Sequence, residues 1–181
     1  MDNVQKTFPQ VAFTDRQEAR LKNVQRDVYL CVTGGDAGYQ VSTKTLQADN
    51  LADPELLFSL YYFTDAEAEE TKMVLPVHHS TNVCLSMDEN KMFQLSSLRE
   101  QAAPYEVIPL EDPSRLMTAD ERFFYLKTSG TNVALEAMNG VHGNQFLAIT
   151  SSNEVTIKEH TEGAYAEDTL FSVDEYNISK V

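Results

Sequence analysis

A series of short apolar segments near the C-terminus constrains the fold more than any other feature of this sequence. The segments are rich in β-formers and occupy residues 122–126, 133–136, 145–149, 154–158 and 169–173. Each is bounded by Gly, Asn, Ser or charged residues, which is typical of strands joined by turns. No helical stretch is required anywhere between Arg122 and Glu175, so this part of the chain predicts an all-β fold.

Two sequence patterns recur three times each, and their copies alternate along the chain. The first pattern has four positions: an apolar residue, then Phe, then Ser or Tyr, and then Leu or Val. It occurs at residues 57–60, 123–126 and 170–173. The second is a strand-like triplet at 29–31, 84–86 and 146–148. Recurrence in a fixed order indicates an internal repeat. Three repeats of four short strands predict a β-trefoil, a closed and capped barrel of twelve strands with pseudo-threefold symmetry.

The repeat also predicts which side chains form the core. Side chains alternate between the two faces of a strand, so each repeated Phe should share a face with the residue two positions later. The predicted pairs are Phe58 with Leu60, Phe124 with Leu126, and Phe171 with Val173. Truncation of such a buried Phe, as in Phe124→Ala, is expected to cost about 3–5 kcal/mol.

The charge balance excludes several classes of partner. The chain has 28 acidic and 14 basic residues, a net charge of −14. An acidic surface repels phosphate backbones and anionic lipid, so nucleic-acid and membrane-surface roles are disfavoured and a basic partner face is favoured. No apolar run approaches the length of a membrane span, and the first residues have no apolar signal-peptide core. We therefore expect synthesis in the cytoplasm.

The chain divides by composition into two parts. Residues 1–26 are mostly polar and predict a leader or a removable pro-segment that contributes at most the first strand, whereas residues 27–181 form the predicted trefoil domain. Asp15 and Asp27 are acidic positions at which a caspase-like protease could cut.

No pattern in the sequence supports catalysis, a metal site or a cofactor. Cys31 and Cys84 lie in strand-like runs, which favours free buried thiols over a disulfide. His78 and His79 are adjacent, so on a strand they point to opposite faces and cannot easily share one ion. Pro76 in the same run predicts an edge strand or a bulge. The protein is therefore predicted to be a binding protein and not an enzyme.

From about Asp27 to Glu175 the sequence resembles the interleukin-1 cytokine family, most closely its interleukin-18 and interleukin-33 branch. The similar segments are 56–62, 82–86, 122–125, 135–137, 145–148, 157–159 and 168–175. The chain departs from the family's C-terminal signature, because it has Leu135-Glu136-Ala137 where Phe-Glu-Ser is usual, and it has no Trp.

The resemblance implies a leaderless cytokine, secreted by an unconventional route, that acts without a cofactor as a monomer. Its partners would be an interleukin-1-receptor-family ectodomain with immunoglobulin-like domains, an accessory receptor chain, and a soluble decoy binding protein. Three alternatives stay open. One is a receptor antagonist of the same family, which binds without recruiting the accessory chain. The second is a β-trefoil protease inhibitor, which would require a disulfide-braced reactive loop. The third is a trefoil lectin, which would require aromatic and Asp pairs that recur in each repeat.

The resemblance also favours two acidic loops as receptor-contact regions. The first joins the predicted fourth and fifth strands and the second joins the last two strands. Tyr165 is the one aromatic residue in either loop, so it is the predicted hot spot, with the carboxylates steering association. The candidate receptor-binding residues are Asp65, Glu67, Glu69, Glu70, Glu162, Tyr165, Glu167 and Asp168.

Overall fold

The computed structural model describes residues 8–35, 38–88, 90, 92–97, 116–138 and 143–175. These residues form thirteen strands and two short 3-10 turns, at Pro54–Leu56 and Glu167–Thr169, with no α-helix among them. The strands are β1 (Gln10–Asn23), β2 (Val28–Gly35), β3 (Gly38–Lys44), β4 (Phe58–Asp65), β5 (Lys72–His78), β6 (Val83–Met87), β7 (Phe93–Ser97), β8 (Leu116–Thr118), β9 (Phe124–Ser129), β10 (Asn132–Ala137), β11 (Gln145–Ile149), β12 (Val155–Glu159) and β13 (Leu170–Glu175). Within these residues, no helix is long and apolar enough to cross a membrane.

Six of the strands close into an antiparallel barrel. β1 pairs with β4 and β13, β4 with β5, β5 with β9, β9 with β10, and β10 with β13. Three hairpins, β2–β3, β6–β7 and β11–β12, attach to β1, β5 and β10. These twelve strands match the predicted count. The thirteenth, β8, has three residues and pairs with the start of β1.

A central core fills the barrel, and it contains all three predicted pairs. Phe58, Phe124 and Phe171 are at most 3% exposed and belong to one apolar cluster. Leu60 is buried in the same cluster, and Leu126 and Val173 are half-buried against it. The central residues of the second pattern also belong to it, namely Leu30, Leu85 and Leu147. The predicted core is therefore confirmed.

Three satellite clusters surround the central core, one for each repeat. The first contains Cys31, the second contains Cys84, and the third contains Phe146. Because the residues next to each central Leu point away from the barrel, they build these outer clusters. The two thiols are buried and unpaired, in different clusters, as predicted.

A residue with a positive φ precedes the first strand of each cap hairpin. The residue directly before β2, β6 and β11 has a positive φ in each case: Asp27 at 57°, Asn82 at 58° and Asn144 at 58°. Asp and Asn tolerate this left-handed conformation better than other non-glycine residues, so each repeat carries one where the chain turns into its hairpin.

β1 comes from the polar N-terminal part of the chain. Residues 10–23 contribute a barrel strand that pairs on both sides, which is the first strand that the sequence allowed within residues 1–26. The first seven residues lie outside the described ranges.

Candidate binding site at the open end of the barrel

The barrel has a groove at the end opposite its hairpins. The hairpins join β1 at Lys22 and Asn23 and join β5 at Val77, whereas the groove lies at the other ends of these strands. Its volume is about 470 Å³, within the range of small binding pockets. Its lining residues are Thr14, Asp15, Tyr62, Phe63, Thr64, Lys72 and Leu126.

The floor of the groove is the outer end of the central core. Tyr62 follows Phe58 and Leu60 on one face of β4, and Leu126 follows Phe124 on β9, so both lie where the core meets solvent. The Tyr62 hydroxyl donates a hydrogen bond to Gln17 Oε1 at 2.8 Å. Burial, together with the nearby Asp15 carboxylate, raises the pKa of Tyr62 to about 12, so the floor is an uncharged phenol and an aliphatic side chain.

A β-bulge at Thr14 shapes one wall. The register between β1 and β4 shifts between Phe13 and Asp15, and the Thr14 hydroxyl donates to the carbonyl oxygen of Tyr62 at 3.1 Å. A bulge bends a strand and redirects its side chains. The bulge therefore separates the start of β1 from its barrel portion and leaves Thr14 and Asp15 exposed beside the floor.

The first predicted loop, residues 65–70, borders this groove. Thr64, which precedes the loop, and Lys72, which begins β5, both line the groove. Asp65 has a structural role, because its carboxylate accepts a hydrogen bond from the Glu67 N–H at 2.8 Å and its own N–H bonds to the Thr71 carbonyl at 3.1 Å. The exposed carboxylates at the rim are Glu67, Glu69 and Glu70.

The second predicted loop is built around the third satellite cluster. Tyr165 is half-buried, with its ring centroid 5.3 Å from that of Phe146 and 4.8 Å from that of His160. Asp168 pairs with Lys158 Nζ at 2.9 Å. Glu162 and Glu167 are exposed, and Glu167 opens a 3-10 turn.

The structure does not bring the two predicted loops together. Val11, near the start of β1, pairs with Asp65, whereas Asn23, at the other end, bonds through its side chain to the Asp168 carbonyl. Asn23 is twelve positions after Val11 along β1, or roughly 35–40 Å away. The groove was not predicted from the sequence. One signal was available, because the alternation that identified Phe58 and Leu60 continues to Tyr62, and the polar hydroxyl of Tyr62 indicates that this end of the strand is near solvent.

One further cluster of polar side chains lies on the barrel wall. Ser59 Oγ donates to Glu18 Oε2 at 2.6 Å, and both oxygens lie near His79 Nδ1, at 3.0 and 3.2 Å. These contacts join side chains of β1, β4 and the residue that follows β5. The described residues contain no group of three or more His, Cys, Asp or Glu side chains that could hold a metal ion.

Neither a family model nor a curated protein sequence matches this chain. Solved structures match it over most of its length. The designed threefold-symmetric protein ThreeFoil aligns with a TM-score of 0.54 and 12% identity, covering 88% of this chain and 99% of that one. The BEL β-trefoil aligns with a TM-score of 0.51 and 10% identity, covering 88% and 93%.

The chain is a β-trefoil. A Caenorhabditis elegans protein of unknown function is also similar, with a TM-score of 0.54 and 10% identity over 96% of this chain and 99% of that one. At these identities the likeness shows the fold alone. Within the trefoil, the groove is the open end of the barrel, opposite the three cap hairpins.

Proposed function

We propose that this β-trefoil is an interleukin-1-type cytokine that binds an immunoglobulin-domain receptor and then recruits an accessory chain to trigger inflammatory signalling. The observation that carries the proposal is the open end of the barrel, where Tyr62 and Leu126 form a partly exposed floor beside the acidic loop. Protein interfaces typically combine an apolar, aromatic centre with a polar rim. The site has both parts on a rigid scaffold.

The position of the family-like segments supports the same proposal. They lie in strands of all three repeats: 56–62 runs into β4, 82–86 into β6, 122–125 into β9, 145–148 forms most of β11, and 168–175 includes β13. The segments therefore include both barrel and hairpin strands between β4 and β13, and none of them lies in β1, β2 or β3. By the same resemblance, we propose that the protein is made in the cytoplasm, leaves the cell by an unconventional route and acts outside it as a monomer.

The net charge of −14 supports a basic receptor face. Opposite charges accelerate encounter between partners, while buried aromatic and aliphatic contacts slow dissociation. Glu67, Glu69 and Glu70 would act in the first step, and Tyr62 with Leu126 in the second.

A panel of interleukin-1-type receptor ectodomains tests the proposal, with accessory ectodomains added afterwards. We expect one receptor ectodomain to bind and its complex to capture an accessory chain. Binding without that capture would make the protein an antagonist, and binding to no ectodomain in the panel would overturn the proposal.

A matched pair of leucine variants tests whether the open end is the interface. Leu126→Ala shortens the floor, and we expect it to weaken binding by about tenfold, as truncation of an interface hot spot does. Leu51→Ala makes the same chemical change at a leucine that is 58% exposed in the loop before β4, away from the groove, and should bind as wild type. Melting temperatures of both variants separate loss of contact from loss of fold. Equal binding by the two variants would place the interface elsewhere.

A further inference from the structure

The residues before the Thr14 bulge form a distinct part of the N-terminal strand. We name residues 8–13 the N-terminal arm. The remainder of β1, from Asp15 to Asn23, contributes the barrel pairings with β4 and β13. The arm pairs with the last three residues of β4 on one side and with β8 on the other. Removing the arm would leave the pairings of residues 15–23 with β4 and β13 in place.

The arm is held firmly along its length. Val11 pairs with Asp65 on one side and Met117 on the other, and its side chain is fully buried in the second satellite cluster. The Pro9 carbonyl accepts a hydrogen bond from the Ala119 N–H at 2.9 Å, and Gln10 Nε2 donates to Thr118 Oγ1 at 2.6 Å.

The arm also holds the acidic loop. The Gln10 carbonyl accepts a hydrogen bond from the Ala66 N–H at 2.8 Å. Ala66 lies between Asp65 and Glu67, so this bond ties the arm to the first turn of the loop at the rim of the groove. At the end of the loop, the Thr71 N–H bonds back to the Ala68 carbonyl at 2.8 Å. The loop is therefore a compact turn whose Ala66 N–H is bonded to the arm.

We propose that the N-terminal arm is a strap that fixes the acidic loop beside the groove, so that releasing the arm releases the loop. This inference rests on the proposed function where it concerns the receptor: a cut near Asp15 would switch binding off. That outcome is the reverse of maturation by loss of a pro-segment, because the loop is in its binding position only while the arm is attached.

Amide hydrogen exchange in the full-length protein tests the strap directly. Thr118→Val removes the bond to the Gln10 side chain with little change in shape, and Val11→Asp destabilises the arm by placing a charge in the second satellite cluster. In Thr118→Val we expect the amides of Ala66, which bonds to the arm, and of Thr71, which bonds back into the loop, to exchange about fivefold faster, the effect of losing one net hydrogen bond. Val11→Asp should have a larger effect. The control is the Thr150 amide, which is bonded to the Glu154 carbonyl in the β11–β12 turn and should not change.

The hydrogen-exchange result tests whether the arm holds the acidic loop, and this test does not require a receptor. Unchanged exchange at Ala66 or Thr71 in Thr118→Val, or an equal rise at these amides and at Thr150, would overturn the inference even if Val11→Asp fails to fold. Ectodomain binding then separates the two proposals. If wild type binds no ectodomain while Ala66 responds as expected, the proposed receptor function fails and the strap stands. If wild type binds and a variant with fast Ala66 exchange binds equally well, the strap does not control the site.

Discussion

His78 is a buried histidine whose hydrogen bonds define its protonation state. Its Nε2 lies 3.0 Å from the carbonyl oxygen of Glu55, which can only accept, so Nε2 carries the proton. Its Nδ1 lies 2.8 Å from Thr81 Oγ1 and accepts the hydroxyl proton. Burial, which disfavours the charged ring, lowers the pKa of His78 from its ordinary value near 6.5.

The lowered pKa predicts a loss of stability on mild acidification. The unfolded chain takes up a proton near pH 6.5 whereas the folded ring resists it, so this contribution is fully present above about pH 6.5 and is lost as pH falls through the folded-state pKa. His78→Gln can keep a donor toward Glu55 but cannot titrate. We expect its free energy of unfolding, measured in urea from pH 7.5 to 5, to fall less steeply than that of wild type. Parallel curves would show that His78 does not contribute.

The two cysteines should be unreactive in the folded protein. Burial raises the pKa of the Cys84 thiol to about 12 and also raises that of Cys31, while the reactive species is the thiolate. At pH 8 we expect a thiol reagent to label neither cysteine in native protein and both in urea. Rapid native labelling, or a mass difference of two alkyl groups between reduced and untreated protein after alkylation in denaturant, would contradict this.

Tyr165 contributes to packing whether or not it contacts a receptor. Its ring lies against Phe146 and His160 in the third satellite cluster, so Tyr165→Ala removes internal contacts as well as any external ones. We predict a faster off-rate from the receptor for Tyr165→Ala, measured below the melting temperature of the variant. Tyr165→Phe retains the ring and should keep the wild-type melting temperature. An unchanged off-rate in Tyr165→Ala would remove this loop from the interface.

At the scale of elements, β1 decides how much of the N-terminus the fold can lose. Asp27 sits in the turn between β1 and β2 at a φ of 57°, and a cut after it would separate one of six barrel strands from the rest. We therefore predict that a chain beginning at Val28 fails to fold, as judged by near-ultraviolet circular dichroism and proteolysis. A chain beginning at Phe8 retains the whole of β1 and is the control, which should fold. Cooperative unfolding of the shorter chain would contradict the assignment of β1 to the core.

The sequence predicted strands where side-chain alternation and turn residues coincide. The six core positions and the separate clusters of Cys31 and Cys84 followed from the repeats alone. Pro76 led to a wrong prediction, because β5 is an interior strand that pairs with β4 without a register shift. Its other edge pairs with β9 at Met73 and Val74 and with β6 at Val77, and Pro76 falls between these pairings, where a missing N–H removes no bond to either strand.

The groove could not be predicted, since it depends on how distant strands meet. Thr14, Lys72 and Leu126 come from β1, β5 and β9, and only barrel closure places them together. The length of β1 was likewise not predicted from the polar composition of residues 1–26, because β1 buries one face and leaves Arg16 and Glu18 on the other. A composition average does not detect such alternation.

At the scale of the whole molecule, the net charge and the position of charged residues affect association with the receptor differently. Net charge acts on association at long range, whereas a charged loop beside the binding site acts most strongly as the partners dock. Two triple variants with the same net charge separate these effects. Glu67→Gln, Glu69→Gln and Glu70→Gln neutralise the rim, and Asp27→Asn, Asp49→Asn and Glu154→Gln neutralise exposed positions outside the rim.

Each triple variant changes the net charge from −14 to −11. We expect the rim variant to associate more slowly with receptor ectodomain and to show a flatter dependence of on-rate on salt, because salt screens the interactions it has lost. The control variant should keep an on-rate and a salt dependence close to those of wild type, and neither variant should change the off-rate much, since exposed rim charges act mainly on encounter. Surface-bound ectodomain, measured at two salt concentrations, gives both rates. Equal slowing in the two variants would mean that only net charge matters and would move the binding site away from the open end of the barrel.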